Sequence, residues 1–265
     1  MRRLIQYFCI VASLLSFADA ALAQTNALDA IRQRKKVIIG VLLDGPPFGM
    51  LDEKMEPTGY DVEVARKLAK DLGVDVEFVQ TTVPNRVVYL QSSRVDLIMA
   101  AFSVTPERAL SVAFSSPYGT LNHIIVGGTG VHAATIADLV GKRVAVSRGS
   151  FQDMFLTKAA PSGTQIQRYD DDATAHAALA SGQVDLAAMA EPTARAVISK
   201  SAGKPMEIKF RLSEAPFSIG IRKGDPELLQ WLNTWIYYHR RVTGEFDVLH
   251  RKYLGSGIPA DLGYF

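Results

Sequence analysis

Four consecutive residues, Thr105, Pro106, Glu107 and Arg108, combine a helix start with a charge that does not belong there. A threonine hydroxyl can cap a helix, and proline fits the first helical position, where its missing N–H costs nothing. Glu107 suits the first turn, because the free N–H groups there make that end of the helix positive. Arg108 does not suit it: a cation in the first turn is misplaced by roughly 0.3–1 kcal/mol unless an anion offsets it. The chemistry on offer is anion binding, and a guanidinium fork is well matched to a carboxylate. A surface pair with Glu107 or another neighbouring carboxylate is the competing reading.

A second site of the same kind lies at Arg148, Gly149 and Ser150. Ser150 can cap a helix, and Asp153 can return the bond three residues later as a capping box. Gly149 allows close approach of the backbone. Arg148 stands beside that positive helix end, where an exposed, solvated arginine is an equal reading. Two helix N-termini and two arginines turned toward one cleft would form an anion site in which backbone N–H groups do much of the binding.

The elements that must position these groups alternate between strand-like and helix-like, the α/β pattern. Residues 37–43 (VIIGVLL) form a short apolar run rich in β-branched residues, as in a buried parallel strand. Residues 61–73 place Val62, Ala65, Leu68, Ala69 and Leu72 on one helical face and end in a C-cap glycine. A strand (75–80), a helix (86–93) and a buried strand (95–101) follow. After Tyr118 the scheme repeats: strand 143–147, helix 150–160, strand 165–170, helix 172–182, strand 185–190. The letters echo as well, LQSSRVDLIMAA (90–101) against LASGQVDLAAMA (179–190), which favours two similar halves. Residues 218–224 then read as a strand. A long amphipathic helix, capped by Asp225 with Pro226 at its first position, carries Trp231, Trp235 and Tyr238 as a core-facing stripe. In open α/β sheets the ligand crevice lies beyond the carboxyl ends of the strands, here residues 43–48, 100–108, 147–151 and 190–193.

Arg2 and Arg3, a mostly apolar run and the small residues 21–23 form a secretory leader, so the mature chain is expected to start at Gln24. Asp19 interrupts that run below the length of a spanning helix. The single cysteine, Cys9, lies within the leader and too far from its end to carry a lipid, which excludes disulfides, cysteine-held zinc and cysteine nucleophiles from the mature chain. The formal net charge is +2 and falls to +1 without Arg2, Arg3 and Asp19, which gives no support to nucleic-acid or membrane-surface binding. His123, His132, His176, His239 and His250 show no metal-ligand spacing and read as surface or core-edge residues. Neither a nucleophile elbow nor a phosphate loop is evident, so neither cofactor nor metal is expected.

Several motifs, in order, resemble the family 3 extracellular solute-binding proteins, the periplasmic amino-acid receptors of ABC importers. They are GYDVEVARKLAKDLG (59–73), PPF (46–48), the pair Asn85-Arg86, VDLIMAAFSVTPERA, FSSPY, DLVGKRVAVSRGS, SGQVDL and IRKGDPEL. The resemblance implies a two-lobed type II periplasmic-binding-protein fold, its lobes joined by two hinge strands around a ligand cleft. The implied organisation is leader 1–23, lobe one 24–121, lobe two 122–216 and a return segment 217–265. It also implies that Arg108 holds the ligand's α-carboxylate with Ser103, while Gly149 and Ser150 reach it from the other lobe. Phe48, Tyr118 and Phe151 are the candidate walls, and Ala101 replaces a small polar residue that often contacts ligand. Where the family usually grips the α-ammonium with an aspartate, this chain has Ala190 followed by Glu191. Either Glu191 takes that role or the ligand lacks an amine. The aromatic that often precedes the Pro-Phe pair is here Gly45.

The expected function is capture of an amino acid or related small carboxylate by hinge closure, and delivery to a membrane permease by a monomeric, periplasmic protein without a lipid anchor. One alternative is an enzyme resembling cyclohexadienyl dehydratases, with Glu191 as the acid. The other is a soluble receptor for a membrane sensor.

Overall fold

The computed structural model describes residues 26–264 apart from Ala202, so the expected leader and Cys9 lie outside the described residues. The first lobe starts with helix α1 (Ala27–Gln33) and strand β1 (Lys36–Val41). A small sheet of β2 (Asp44–Gly45), β3 (Gly49–Leu51) and β4 (Pro57–Thr58) follows, then α2 (Tyr60–Leu72), β5 (Asp75–Gln80), α3 (Arg86–Gln91), β6 (Leu97–Ile98) and the four-residue α4 (Pro106–Ala109). The long strand β7 (Ala113–Gly128) leads to β8 (Arg143–Ser147), α5 (Phe151–Ala159), β9 (Gln165–Tyr169), α6 (Asp172–Ser181), β10 (Leu186–Ala190) and α7 (Glu191–Lys200). An equally long β11 (Met206–Ile221) returns to α8 (Pro226–Tyr237), a π-helical turn (Tyr238–Val242) and α9 (Glu245–Leu254).

Eight strands form one mixed sheet in the order β5-β1-β6-β11-β7-β10-β8-β9. The order is a palindrome of two units: β5-β1-β6 is parallel, β9-β8-β10 is parallel, and the antiparallel pair β11-β7 joins them. Each of these two strands serves both lobes. Leu121 of β7 packs in one core, whereas Ile124 belongs to the other; β11 changes over between Leu212 and Phe217. The expected helix at 61–73 forms as α2 and buries Val62, Ala65, Leu68 and Ala69. Gly73 closes it at φ 69°, and Gly59 opens it at φ 121°, where a Cβ would stand 2.5 Å from the Phe48 carbonyl oxygen.

The sequence echo has a structural counterpart. Asp96, just before β6, accepts the Ile38 N–H of β1 at 2.7 Å; Asp185, just before β10, accepts the Arg143 N–H of β8 at 2.9 Å. Each aspartate pins the start of one parallel strand to its neighbour. Asp96 is also paired with Arg34 and lies 3.8 Å from Arg222, while Asp185 is paired with Arg143.

Beneath the cleft, Phe217 meets Tyr118, Phe48 and Tyr60 edge-on, with ring centroids 4.7, 5.9 and 5.9 Å away. Its ring fills the space above Gly119, where a Cβ would lie 2.2 Å from it. Asp61, 1 % exposed, accepts the Tyr118 hydroxyl at 2.6 Å and the Ala101 N–H at 2.7 Å. Ala101 stands there at φ 47°, and the strand expected over 95–101 is confined to Leu97–Ile98. The expected long C-terminal helix also breaks, at Tyr237. The π-helical turn there buries His239 with Nε2 2.9 Å from Asp71 and Nδ1 2.9 Å from Glu245. Tyr238 is thereby left half exposed rather than core-facing. Asp225 does not cap α8; its carboxylate accepts the Ala27 N–H of α1 at 3.0 Å.

Burial, opposed by the bonds from Tyr118 and Ala101 and by the Arg86 charge, raises the Asp61 carboxyl from 3.8 to about 7. The folded state therefore keeps a proton that the unfolded chain releases. Stability from this group is complete below about pH 4 and is lost as pH rises to 7, at no more than about 1.4 kcal/mol per unit. Urea unfolding of Asp61→Asn against wild type at pH 4.5 and 7 should show the wild type losing ground over that interval; parallel profiles would contradict the assignment. Asp96→Ala strands a buried N–H and should cost about 1–3 kcal/mol. Asp185→Ala should cost less, because the Asp185 side chain is 30 % exposed and that of Asp96 only 8 %.

Candidate functional site

The two lobes meet over a cavity of about 50 Å³. On one side it is lined by the turn after β2, the start of α3 and the loop between β6 and α4; on the other by the start of α5, the start of α6 and the end of β10. These are carboxyl ends of strands and amino ends of helices, where a sheet of this type places its ligands.

Arg108 is central to it. The Thr105 Oγ1 caps the short helix by accepting the Arg108 N–H at 3.2 Å, and the side chain, 7 % exposed, turns into the cleft. Its Nη1 donates to the Ser103 carbonyl at 2.5 Å and its Nη2 to the Gly149 carbonyl at 2.8 Å, so one guanidinium ties backbone from both lobes. Glu107 is not its partner: Glu107 pairs with Lys158 of α5 instead, a second contact across the cleft. Among the described residues no carboxylate forms a salt bridge with Arg108. Burial, and then the nearby Arg86 charge, lower its pKa to about 8.

Arg86 is the site's second cation. It is 4 % exposed and donates to the Val83 carbonyl and the Ala100 carbonyl, both at 3.1 Å. Both guanidiniums lie over the Phe102 ring, at 4.8 Å for Arg86 and 5.1 Å for Arg108. Burial lowers the Arg86 pKa to about 10, opposed by the charges of Asp172 and Asp61.

His123, on the inner part of β7, is 2 % exposed and stacks on Phe151 at 4.3 Å. Its Nε2 lies 3.5 Å from the Ser103 hydroxyl, and its Nδ1 is buried without a hydrogen-bond partner. Burial and then the Arg108 charge lower its pKa to about 3, so the ring is neutral. On the facing lobe, Ser147 donates its hydroxyl to the Asp172 carboxylate.

Of the residues expected at the site, Arg108, Ser103, Ser150, Phe48, Ala101 and Phe151 all line the cavity. Gly149 stands at its edge, at φ 67°, and contributes its carbonyl to Arg108. Its N–H is taken by Asp153 at 3.0 Å, so the expected capping box closes on Gly149 instead of Ser150; Ser150 Oγ still accepts the Asp153 N–H. Tyr118 does not reach the cavity, because its ring is fully buried against Tyr60 and its hydroxyl is committed to Asp61. Glu191 does not reach it either. The first turn of α7 carries its carboxylate outward, where Asn122 donates at 2.8 Å and Arg195 pairs one turn on, in a hollow beside β7 and β11. Arg148 forms an exposed pair with Asp170 at 2.9 Å.

Sequence reasoning missed Asp172, His123, His176 and Arg86 as cavity residues, whereas Ser147 falls in the expected segment 147–151. Arg86 was present only as half of the Asn-Arg motif, and Asp172 only as the first residue of the expected helix 172–182. No local pattern marks His123, which becomes a cavity residue only through the pairing of β7 with β10. Among the described residues no group of three or more His, Cys, Asp or Glu is placed to hold a metal ion. The arrangement offers a buried cationic end, a facing carboxylate and apolar walls.

Known proteins place this geometry. The L-cystine-binding protein TcyJ of Escherichia coli strain K12 is 27 % identical over 248 residues, covering 93 % of this chain and 91 % of the relative. The crystal structure of a solute receptor for L-cysteine of Neisseria gonorrhoeae superposes with a TM-score of 0.80 at 32 % identity, over 86 % of this chain and 93 % of that one. An ancestral amino acid-binding protein, AncCDT-1, described as a precursor of cyclohexadienyl dehydratase, gives 0.78 at 33 % identity over 85 % and 98 %. Residues 37–256 match the model of the bacterial extracellular solute-binding proteins, family 3, and the chain belongs to that family.

Proposed function

We propose that this protein is a periplasmic receptor that closes on an amino acid or related small carboxylate and delivers it to an ABC import permease. The observation that carries the reading is Arg108: a buried guanidinium, held between the lobes by carbonyls of both and without a carboxylate partner among the described residues. A ligand carboxylate offers that guanidinium a bidentate, charge-assisted partner, and Ser103 and the Ser150 end of α5 stand beside it. Because the groups belong to different lobes, a ligand bridging them favours the closed arrangement by its differential affinity for it.

The family relatives named above bind L-cystine and L-cysteine, which supports an amino-acid ligand here. The enzyme alternative rested on Glu191, and that carboxylate faces away from the cavity onto Asn122 and Arg195. A receptor role therefore fits better than a dehydratase. No helix among the described residues is long and apolar enough to cross a membrane. Encounter with a permease then depends on the closed form docking from outside the bilayer.

The test is calorimetric titration of protein that has been unfolded and refolded to remove co-purified ligand. The twenty L-amino acids are the probes. At least one should bind, and Arg108→Ala should weaken it by about 2–5 kcal/mol, the cost of leaving one member of a buried charge pair alone. The variant should keep the wild-type circular dichroism spectrum. Unchanged affinity in Arg108→Ala would remove the basis of the proposal.

A further inference from the structure

Ala190 ends β10 with a methyl group at the cavity, which leaves open where a ligand amine would go. Asp172 answers from the next element. It is the first residue of α6, lines the same cavity, and its Oδ1 accepts the Ser147 hydroxyl. Its Oδ2 faces Gly45 of the other lobe. A Cβ on Gly45 would lie 3.5 Å from that oxygen, so any larger side chain there would cover it. Asp44, next to Gly45, adds a second carboxylate whose Oδ1 is buried and has no hydrogen-bond partner. Closure thus brings two acidic groups together from opposite lobes. Burial, and then the Asp172 charge, push the Asp44 carboxyl above its usual range.

Two further observations fit a ligand lying between these acids and the arginines. Arg86 and Arg108 hold one end of the cavity, and their guanidiniums donate to backbone carbonyls instead of to Asp172. His123 lines the cavity almost fully buried, with its Nδ1 unpartnered. Lobe one therefore presents the two guanidiniums to the cavity, lobe two presents Asp172, and Asp44 of lobe one stands beside Asp172. Two carboxylates meeting in a closing cleft repel unless a proton or a cation lies with them.

We infer that Asp172 receives the ligand's ammonium group in place of residue 190, so that the protein takes α-amino acids with the amine intact and rejects their deaminated counterparts. The inference rests on the receptor reading above, with the ligand carboxylate on Arg108. Asp172 acts as a specificity-determining contact, oriented by Ser147 and reinforced by the field of Asp44.

The experiment pairs the tightest-binding of the twenty L-amino acids with the same acid lacking its amine, titrated into refolded wild type, Asp172→Asn and Arg108→Ala. In wild type the amino acid should bind about tenfold or more tighter than its deaminated analogue. Asp172→Asn should lose about tenfold or more for the amino acid and leave the analogue unchanged within about twofold. Equal loss for both probes, or no loss for either, would overturn the inference. So would wild type binding the deaminated acid as tightly as the amino acid, even with Arg108 still required. Should Asp172→Asn fail to fold, Ser147→Ala removes the orienting hydroxyl and should show the same selectivity in weaker form. Amino-acid binding that survives Arg108→Ala would instead bring down the receptor reading, and this inference with it.

Discussion

A guanidinium cannot leave water without partners for its donors and some answer to its charge. Arg108 is 7 % exposed, finds acceptors for two of its guanidinium nitrogens and has no carboxylate partner among the described residues. Much of the surrounding architecture follows from that imbalance. Those acceptors are backbone carbonyls, one from each lobe, and carbonyl dipoles offset a charge only partly. The Phe102 face adds a little more, shared with Arg86. On the proposed reading, a ligand carboxylate at the meeting of the lobes supplies the rest.

The positioning of that group can be followed back into the core. Ser103 presents its carbonyl because the chain turns at Ala101, and Ala101 turns because its N–H is claimed by Asp61. Asp61 is fixed from the other side by Tyr118 of β7. One buried carboxylate therefore couples the loop that carries the site to a strand shared by both lobes. Phe217 of β11 closes the arrangement from beneath, edge-on to both tyrosines. Packing of this kind, in which each ring is held by two others, leaves little freedom for the loop to adopt a second arrangement.

The alternation of elements, the duplicated half and the arginine at a helix start were all legible in the sequence, because each is written in local spacing. Asp96 and Asp185 show how far this reaches: an echo of letters proved to be an echo of hydrogen bonds. Glu191 and Tyr118 show where it stops. Being adjacent to a site in sequence does not fix the direction of a side chain. Glu191 opens a helix whose first turn carries it outward, and Tyr118 lies on the face of β7 turned to the core. Asp172 failed to register for the opposite reason. An acidic residue in a first turn is so common that its second role, facing the other lobe across a cleft, leaves no local trace.

The two lobes are halves of one hydrogen-bonded sheet, joined by β7 and β11 along nearly their whole length. Relative rotation of the lobes must then be taken up as torsion in this two-strand shaft, because breaking the ladder would strand many buried amides at once. The shaft is not uniform. Its pairing slips at Ile208/Phe210, Arg211/Ser213, Phe217/Ser218 and Ser218/Gly220, where one or more residues fall out of the register. Such irregularities bend the strands and increase their local twist, so any turn of one lobe against the other would gather at these positions instead of spreading evenly along the shaft.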